Sequence, residues 1–431
     1  MKKQGITIFW FRRDLRLEDN VGLFHALQSQ YPVIPLFIFD TTILDSLPKN
    51  DARVGFIHDS LSKINQKLQE MGSSILVKKG KTQEVWQALI QEFDVNEVYF
   101  NKDYEPYAIK RDFAICELLK SNKISSFSFK DQVIFEEKEI TKVDGLPYTV
   151  YTPYKNKWLE KYNPMAPVQE YDATDKFFNF YKSDFIFPTL EQIGFEESPI
   201  KVIPHNLKNV TNYHETRDFP ALDSTTHLSP HLRFGTVSIR KLVNWAAHKN
   251  EVFLSELIWR EFFMQILFSF PKVVTHNFKP AYDGIQWRNN EEDFKRWCSG
   301  TTGYPMVNAG MRELNDTGYM HNRVRMVVAS FLCKHLLINW QWGEAYFAEK
   351  LLDFELSANV GNWQWAAGTG CDAAPYFRVF NPEIQLQKFD EKGSYIRKWI
   401  PEFDLGYGET MVEHAFARDR AIATYKAGIL K

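Results

Sequence analysis

The stretch DFELSANVGNWQWAAGTGCDAAPYFRVFNP begins at Asp353 and holds the chain's densest set of chemically capable side chains. Acids stand at Asp353 and Glu355, amides at Asn359 and Asn362, and indoles at Trp363 and Trp365. A segment that only filled a core would repeat Leu, Ile and Val at helical spacing. Indoles can be oxidised transiently and can stack on bases, which is worth about 1–3 kcal/mol per base. Carboxamides hydrogen bond without titrating. Residues two apart on a helix point about 200° from one another, so the two indoles are expected to serve different neighbours. The small residues AAGTG let a backbone approach something closely. A second stretch, STTHLSPHLRFG, sets hydroxyls before a helix start, where they either cap the helix or receive an anion such as a pyrophosphate.

These residues sit in a chain of 431 residues that is 44% apolar and 25% charged, enough for two ordinary globular domains. A net charge of -2 gives no global attraction for nucleic acid, so DNA would need a local basic patch. Cys116, Cys298, Cys333 and Cys371 are far apart without a CxxC pair, which fits neither a disulfide framework nor a metal site. No metal is expected, and the cytoplasm is the expected compartment. The start, MKKQGITIFWFRRDLR, has too short an apolar run for a signal peptide, and MVVASFLC from Met326 is too short to span a membrane.

Two kinds of element must position the chemistry. Apolar runs at Ile6–Phe11, Val33–Asp40, Ser74–Gly80, Val95–Asn101 and Ser125–Phe129 read as strands, and helical patterns such as ARVGFIHDSLSKINQKLQEM lie between them. That alternation implies a Rossmann-like parallel sheet with helices on both faces, an α/β domain over residues 1–130. No GxGxxG follows the first strand, which instead enters the charged turn RRDLRLEDN. Residues 131–204 are proline-spaced and read as a surface connector, and residues 205–431 read as an all-α domain.

The ordered motifs FWFRRDLRLEDN, TTHLSPHLRFGTVS, ELIWREFF, GYPMVNAGMRELNDTGYMHNRVRM, NWQWGEAYF and SANVGNWQWAAGTGCDAAPYFRVFNP resemble the DNA photolyase/cryptochrome family, specifically its class I cyclobutane pyrimidine dimer members. The resemblance spans nearly the whole chain. It implies an α/β antenna domain and a helical domain holding one reduced FAD, with UV-damaged DNA as partner, a flipped-out dimer as substrate and a monomer as the working unit. Light then moves one electron into the dimer, chemistry that needs a tuned cofactor rather than a nucleophile or metal. The chain has no HExxH, Walker A or GxSxG motif, consistent with that.

Matched position by position, the resemblance assigns Tyr213, Thr225, Thr226, His227, Leu228 and Ser229 to the phosphates and ribityl chain. Arg325 and Asp353 become an ion pair against the isoalloxazine, with Phe354 and Glu355 along its edge. Glu355 stands where such proteins usually carry a second Asp. Asn359 would face flavin N5. Trp363, Trp340 and Trp287 would form an electron chain from flavin to surface, while Trp342 has no matched role. Trp365 and Trp259 would flank the lesion, Glu256 and Asn322 would hydrogen bond its base edges, and Met326 would form a soft wall. Arg217, Arg260, Arg323, Arg378 and Gln385 match positions near the DNA strand.

Asn322 and Met326 occupy positions where (6-4) photolyases carry histidines, which points to cyclobutane dimers, and His321 reads as a packing or surface residue. Asn359, where plant cryptochromes tend to carry Asp, points to repair rather than to a cryptochrome-like blue-light photoreceptor. No appended signalling tail is expected beyond the motifs that end near Pro382. NKDYEPYAIKRD resembles a folate-facing antenna loop with Glu105 at the pterin, yet Val273 and Val274 replace more polar groups of folate users. Methenyltetrahydrofolate, a deazaflavin, another flavin or no antenna are the alternatives.

Overall fold

The computed structural model describes residues 4–429. Five parallel strands, β1 (Gly5–Phe11), β2 (Val33–Asp40), β3 (Leu76–Gly80), β4 (Asp94–Asn101) and β5 (Ser125–Phe129), form one sheet in the order β3-β2-β1-β4-β5. The central strands β1 and β2 are near-continuous apolar runs because both their faces are covered, while the edge strands β3 and β5 carry Lys and Ser and stay partly exposed. Along β1 the two-residue period divides the core: Ile6, Ile8 and Trp10 pack with Ile34, Leu36 and Ile38 of β2, while Phe9 and Phe11 pack with Phe37 and Phe39 on the other face.

The chain groups into two compact units that interleave in sequence. The sheet unit takes the residues up to Glu139 with Tyr162–His205 and His227–His248. The helical unit takes Ile140–Lys161, Asn206–Thr226 and the chain from Lys249 onward. The segment 227–248, counted by its sequence pattern with the helical half, joins the sheet because its side chains complete that unit's buried charge network. Arg240 donates to the Asp19 carboxylate at 3.1 Å and to Asp131 Oδ1 at 2.9 Å, and Arg16 grips both Asp131 oxygens at 2.8 and 2.9 Å. The segment that reads as a charged turn is therefore an interior one: Asp14, Arg16, Asp19 and Asn20 are all buried. Gly235, with φ +63°, lies against the Arg13 carbonyl so closely that any Cβ would collide with it.

The helical unit is built on Glu251–Ser269, Pro305–Thr317, Asn322–Ser330, Trp340–Lys350 and Leu356–Ala367, with a π-helical turn over Phe331–His335. Part of the expected connector belongs to it as a helix, Tyr151–Lys161. Tyr151, Tyr154 and Trp158 recur at helical spacing and are buried, and the Trp158 indole N–H donates to Glu261 Oε1 at 2.7 Å. The prolines of residues 131–204 outweigh that aromatic spacing when the sequence is read by composition. Among the described residues no helix is long and apolar enough to cross a membrane.

Candidate functional site

Within the helical unit, a cleft partly open to solvent lies along the Leu356–Ala367 helix. Its walls combine apolar surface from Met326, Phe347, Phe354 and the two indoles with polar groups from Asn322, Arg325, Asp353 and Asn359. Asn322, Arg325 and Met326 recur three and four apart, so a single helix face, of Asn322–Ser330, presents all of them.

Arg325 and Asp353 form a two-pronged pair, with guanidinium nitrogens 3.2 and 2.9 Å from the carboxylate oxygens, and Arg325 Nε donates to the Met320 carbonyl at 2.7 Å. Burial would lower the Arg325 pKa, but Asp353 holds the guanidinium firmly charged and raises it. Its fork also lies 5.7 Å over the Tyr319 ring, whose hydroxyl is 3.0 Å from Thr225 Oγ1. Burial pushes Tyr319 up to about 12, so it remains a neutral phenol. Contact thus runs from Thr225 through Tyr319 to the ion pair.

Asn359 is buried, and its amide N–H groups donate to the Glu344 backbone oxygen at 3.1 Å and to Glu344 Oε1 at 2.8 Å. With both hydrogens so used, the carboxamide offers the cleft an acceptor. Burial raises the Glu344 pKa, partly opposed by the Asn359 bond. Glu344 lies in the motif NWQWGEAYF, yet nothing in its spacing to Asn359 announces the pairing, which arises where two helices meet. Glu355 caps the Leu356–Ala367 helix: its carboxylate accepts from the Ala358 N–H at 2.9 Å and from the Ser357 hydroxyl. The longer side chain that replaces the usual Asp reaches back to its own helix.

Trp363 and Trp365 both line this cleft, so the expectation that they serve different neighbours is corrected to that extent. They still differ in setting. Trp363 is 2% exposed and meets Phe347 at 4.9 Å and Trp297 at 6.1 Å, both edge to face, while Trp365 is half-buried. The Trp363 ring lies against Gly343, where a Cβ would overlap it. Trp340 is buried, its N–H donating to Asn277 Oδ1 at 2.9 Å, and half-buried Trp287 meets Tyr425 edge-on at 5.7 Å.

Of the residues expected to face a lesion or DNA, Asn322, Met326 and Trp365 line this cleft, and others lie elsewhere in the same unit. Glu256 and Trp259 lie three apart on the Glu251–Ser269 helix. Glu256 Oε1 accepts from Arg217 at 2.6 Å, and Arg217 stands over the Tyr213 ring at 5.3 Å. Tyr151 lies flat against Trp259, ring centroids 3.5 Å apart at 8°. Reading 131–204 as a connector hid that partner. Arg323 donates to Asp218 at 2.8 Å and covers Phe389 at 4.3 Å. Arg260 and Gln385 are half-buried, and Arg378 is exposed beside Phe380. His321 caps the Asn322–Ser330 helix, accepting from the Arg323 N–H at 3.2 Å. Burial lowers its pKa to about 4, which keeps it neutral.

The hydroxyl run divides between the units: Tyr213, Thr225 and Thr226 belong to the helical one, and His227, Leu228 and Ser229 to the sheet one. Thr226 is buried and its carbonyl accepts from Asn206 N at 2.9 Å. His227 takes φ +51°, Leu228 is buried, and Ser229 is exposed at the start of Ser229–Arg233. In the sheet unit Glu105 is held by Arg13 and Arg233, each at 3.0 Å, beside Asp103. Burial would raise Asp103, yet Arg13, Arg12 and Arg233 bring it down to about 2.

A cleft with apolar walls, a charge-paired edge and an acceptor amide fits a planar ring with a hydrogen-bonding rim, as in flavin-binding proteins. Comparison with known proteins agrees. Residues 7–172 match the DNA photolyase family model, and residues 253–405 match the FAD binding domain of DNA photolyase. The chain is 35% identical to a deoxyribodipyrimidine photo-lyase from Agrobacterium fabrum, over 99% of this chain and 98% of that one. It also resembles the solved bacterial class III photolyase from Agrobacterium tumefaciens (TM-score 0.86, 32% identity, covering 99% and 98% of the two chains). An archaeal photolyase from Sulfolobus tokodaii, solved with two FAD molecules, matches similarly (TM-score 0.84, 34% identity, 98% and 99%). The chain therefore belongs to the DNA photolyase family, and its helical domain is an FAD-binding one. These likenesses carry the family rather than the class I subdivision.

Proposed function

We propose that this protein is a repair enzyme that splits cyclobutane pyrimidine dimers in DNA, using light and a reduced FAD that lends one electron to the dimer. The observation that carries this reading is the cleft itself, where non-titrating Asn322 and Met326 stand on the same helix face as Arg325. A dimer opened by one electron needs stacking and hydrogen bonds around it rather than an acid. Neutral His321, turned into a helix cap, supplies no proton at neutral pH.

In this reading Arg325 and Asp353 hold the polar edge of the ring, with Phe354 and Glu355 beside them. Asn359, fixed by Glu344, would offer its carboxamide oxygen as an acceptor to the ring and so favour its reduced form. Tyr213, Thr225, Thr226, His227, Leu228 and Ser229 hold the phosphates and ribityl chain. Trp363, Trp340 and Trp287 refill the cofactor. Trp259, backed by Tyr151, and Trp365 stack on the extruded bases. Glu256 exchanges its bond to Arg217 for the base edge, which frees Arg217 for a phosphate. Arg260, Arg323, Arg378 and Gln385 add phosphate and sugar contacts. The antenna reading keeps Glu105, held by Arg13 and Arg233, near the chromophore. The class I subdivision and a monomeric working unit complete the proposal.

The test uses chemically reduced holoprotein and two oligonucleotides, one with a cyclobutane thymine dimer and one with a (6-4) photoproduct. Under blue light the dimer returns to two thymines and the (6-4) product persists, while dark samples stay unchanged. Dimers that survive illumination contradict the repair reading and favour a photoreceptor.

A further inference from the structure

Lys334, in the π-helical turn Phe331–His335, is buried, and three chain segments meet on its ammonium where a carboxylate would be expected. Nζ donates to the Ala367 carbonyl at 2.8 Å and to the Tyr376 carbonyl at 3.1 Å, and lies 3.7 Å from the centre of the Tyr425 ring. Ala367 ends the Leu356–Ala367 helix, where carbonyls lack helical partners and the dipole favours a cation, and the ring face is negative as well. Tyr425 also donates its hydroxyl to the Ala367 carbonyl at 2.8 Å, and its ring lies parallel to Tyr376 at 6.1 Å. The junction is tight: a Cβ on Gly368 would stand 3.3 Å from both Nζ and the Tyr376 Cα. Tyr376 lies in the turn that the Arg378 N–H closes on the Pro375 carbonyl at 2.9 Å, and that turn exposes Phe377 and Arg378. The helix at the other end of the grip carries Asn359, Trp363 and Trp365 along the cleft. We propose that Lys334 is a positioning residue for damaged DNA: its charged amine holds the 375–378 turn to the cleft helix, so that Arg378 meets the strand while Trp365 meets the extruded bases.

This rests on the reading of the cleft as a lesion pocket and of Arg378 as a strand contact. The grip depends on charge. Burial lowers the Lys334 pKa to about 7, opposed by Cys333. The groups around it do not titrate there. On its own turn, burial pushes Cys333 up to about 12 and takes His335, paired with His414, down to about 3. Tyr376 on the loop, Tyr425 on the His414–Gly428 helix and Tyr282 beside them are phenols, and burial raises the last two. When Lys334 loses its proton the two carbonyls keep N–H donors, but the attraction of the ring face and of the helix end is gone, so the turn loosens as pH rises through about 7. Global stability moves the other way. The folded-state pKa lies below the ordinary lysine value of about 10.4, so between the two the unfolded chain binds the extra proton and this group stabilises the fold as pH rises.

The experiment uses FAD-loaded, chemically reduced protein and a thymine-dimer oligonucleotide. Affinity is read in the dark by fluorescence anisotropy from about pH 6 to about pH 8.5, either side of the folded-state value. FAD content reports folding, and dimer splitting at saturating DNA reports the chemistry. Parent affinity is expected to fall about tenfold as pH rises, the equivalent of one charged hydrogen bond. Lys334→Met is expected to bind at the parent's weaker, high-pH level throughout and to split bound dimers as the parent does. Tyr425→Leu removes the ring that favours the charged form, so its fall moves to lower pH; this comparison decides the matter if Lys334→Met does not retain FAD. A parent profile in Lys334→Met, a loss of affinity equal at every pH, an unmoved fall in Tyr425→Leu, or splitting lost at saturation would overturn the assignment. A parent that binds dimer and undamaged DNA alike at every pH would instead overturn the lesion-pocket reading on which it rests.

Discussion

Both units bury charge, but in opposite ways. In the sheet unit the buried Asp19, Asp131, Arg16 and Arg240 bond to one another and to backbone carbonyls. In the helical unit Arg325, Asp353, Glu344 and Asn359 are also paired, yet they border a cleft with apolar walls. The first arrangement fixes a chain segment to a sheet. The second sets paired polar groups along an accessible cleft, and that access, rather than burial or pairing, separates a site from a staple.

Breaking the staple should have the largest effect. Arg240→Met removes the guanidinium paired with Asp19 and one of the two paired with Asp131, and removing one member of a buried pair costs about 3–5 kcal/mol, which urea unfolding will report. Burial alone would raise the Asp131 pKa, but Arg16 and Arg240 outweigh it and hold the carboxyl below its usual value. A depressed folded-state pKa stabilises fully above the ordinary carboxylate value of about 3.9 and is lost as pH falls through the folded one. The variant's acid unfolding midpoint should therefore move to higher pH than the parent's.

Breaking the site should spare the fold and cost the cofactor. Arg325→Lys loses the two-pronged contact with Asp353, a charged hydrogen bond worth about 1.5–3 kcal/mol, so FAD retention should weaken about ten- to a hundredfold by fluorescence titration. Gly343→Ala pushes on the Trp363 ring, and such overpacking costs about 1–3 kcal/mol, seen as a lower Tm together with slower flavin photoreduction. The smallest change is Tyr151→Leu, which removes the ring backing Trp259. Aromatic stacking is worth about 0.5–1.5 kcal/mol, so dimer binding should weaken modestly, while Tyr151→Phe binds as the parent does.

How far these features were legible in sequence follows the range of the forces behind them. All five strands lie where alternating apolar runs place them, since burial on both faces imposes a pattern on each strand by itself. Arg325 with Asp353 and the cleft position of Asn359 came from resemblance of long motifs rather than from any local rule. The Arg240 network, the Glu344 pairing and the Tyr151 stack were invisible because each joins residues far apart in the chain, and no local preference of either partner names the other.

The claim that the helical unit's cleft separates feeding the cofactor from using it is tested most directly by Trp363→Phe loaded with FAD. Two quantities are measured: flavin bleaching from the oxidised state, and dimer splitting under blue light after chemical reduction. The account predicts that bleaching is lost while splitting matches the parent. Splitting lost at full FAD occupancy, or bleaching at the parent rate, would contradict it.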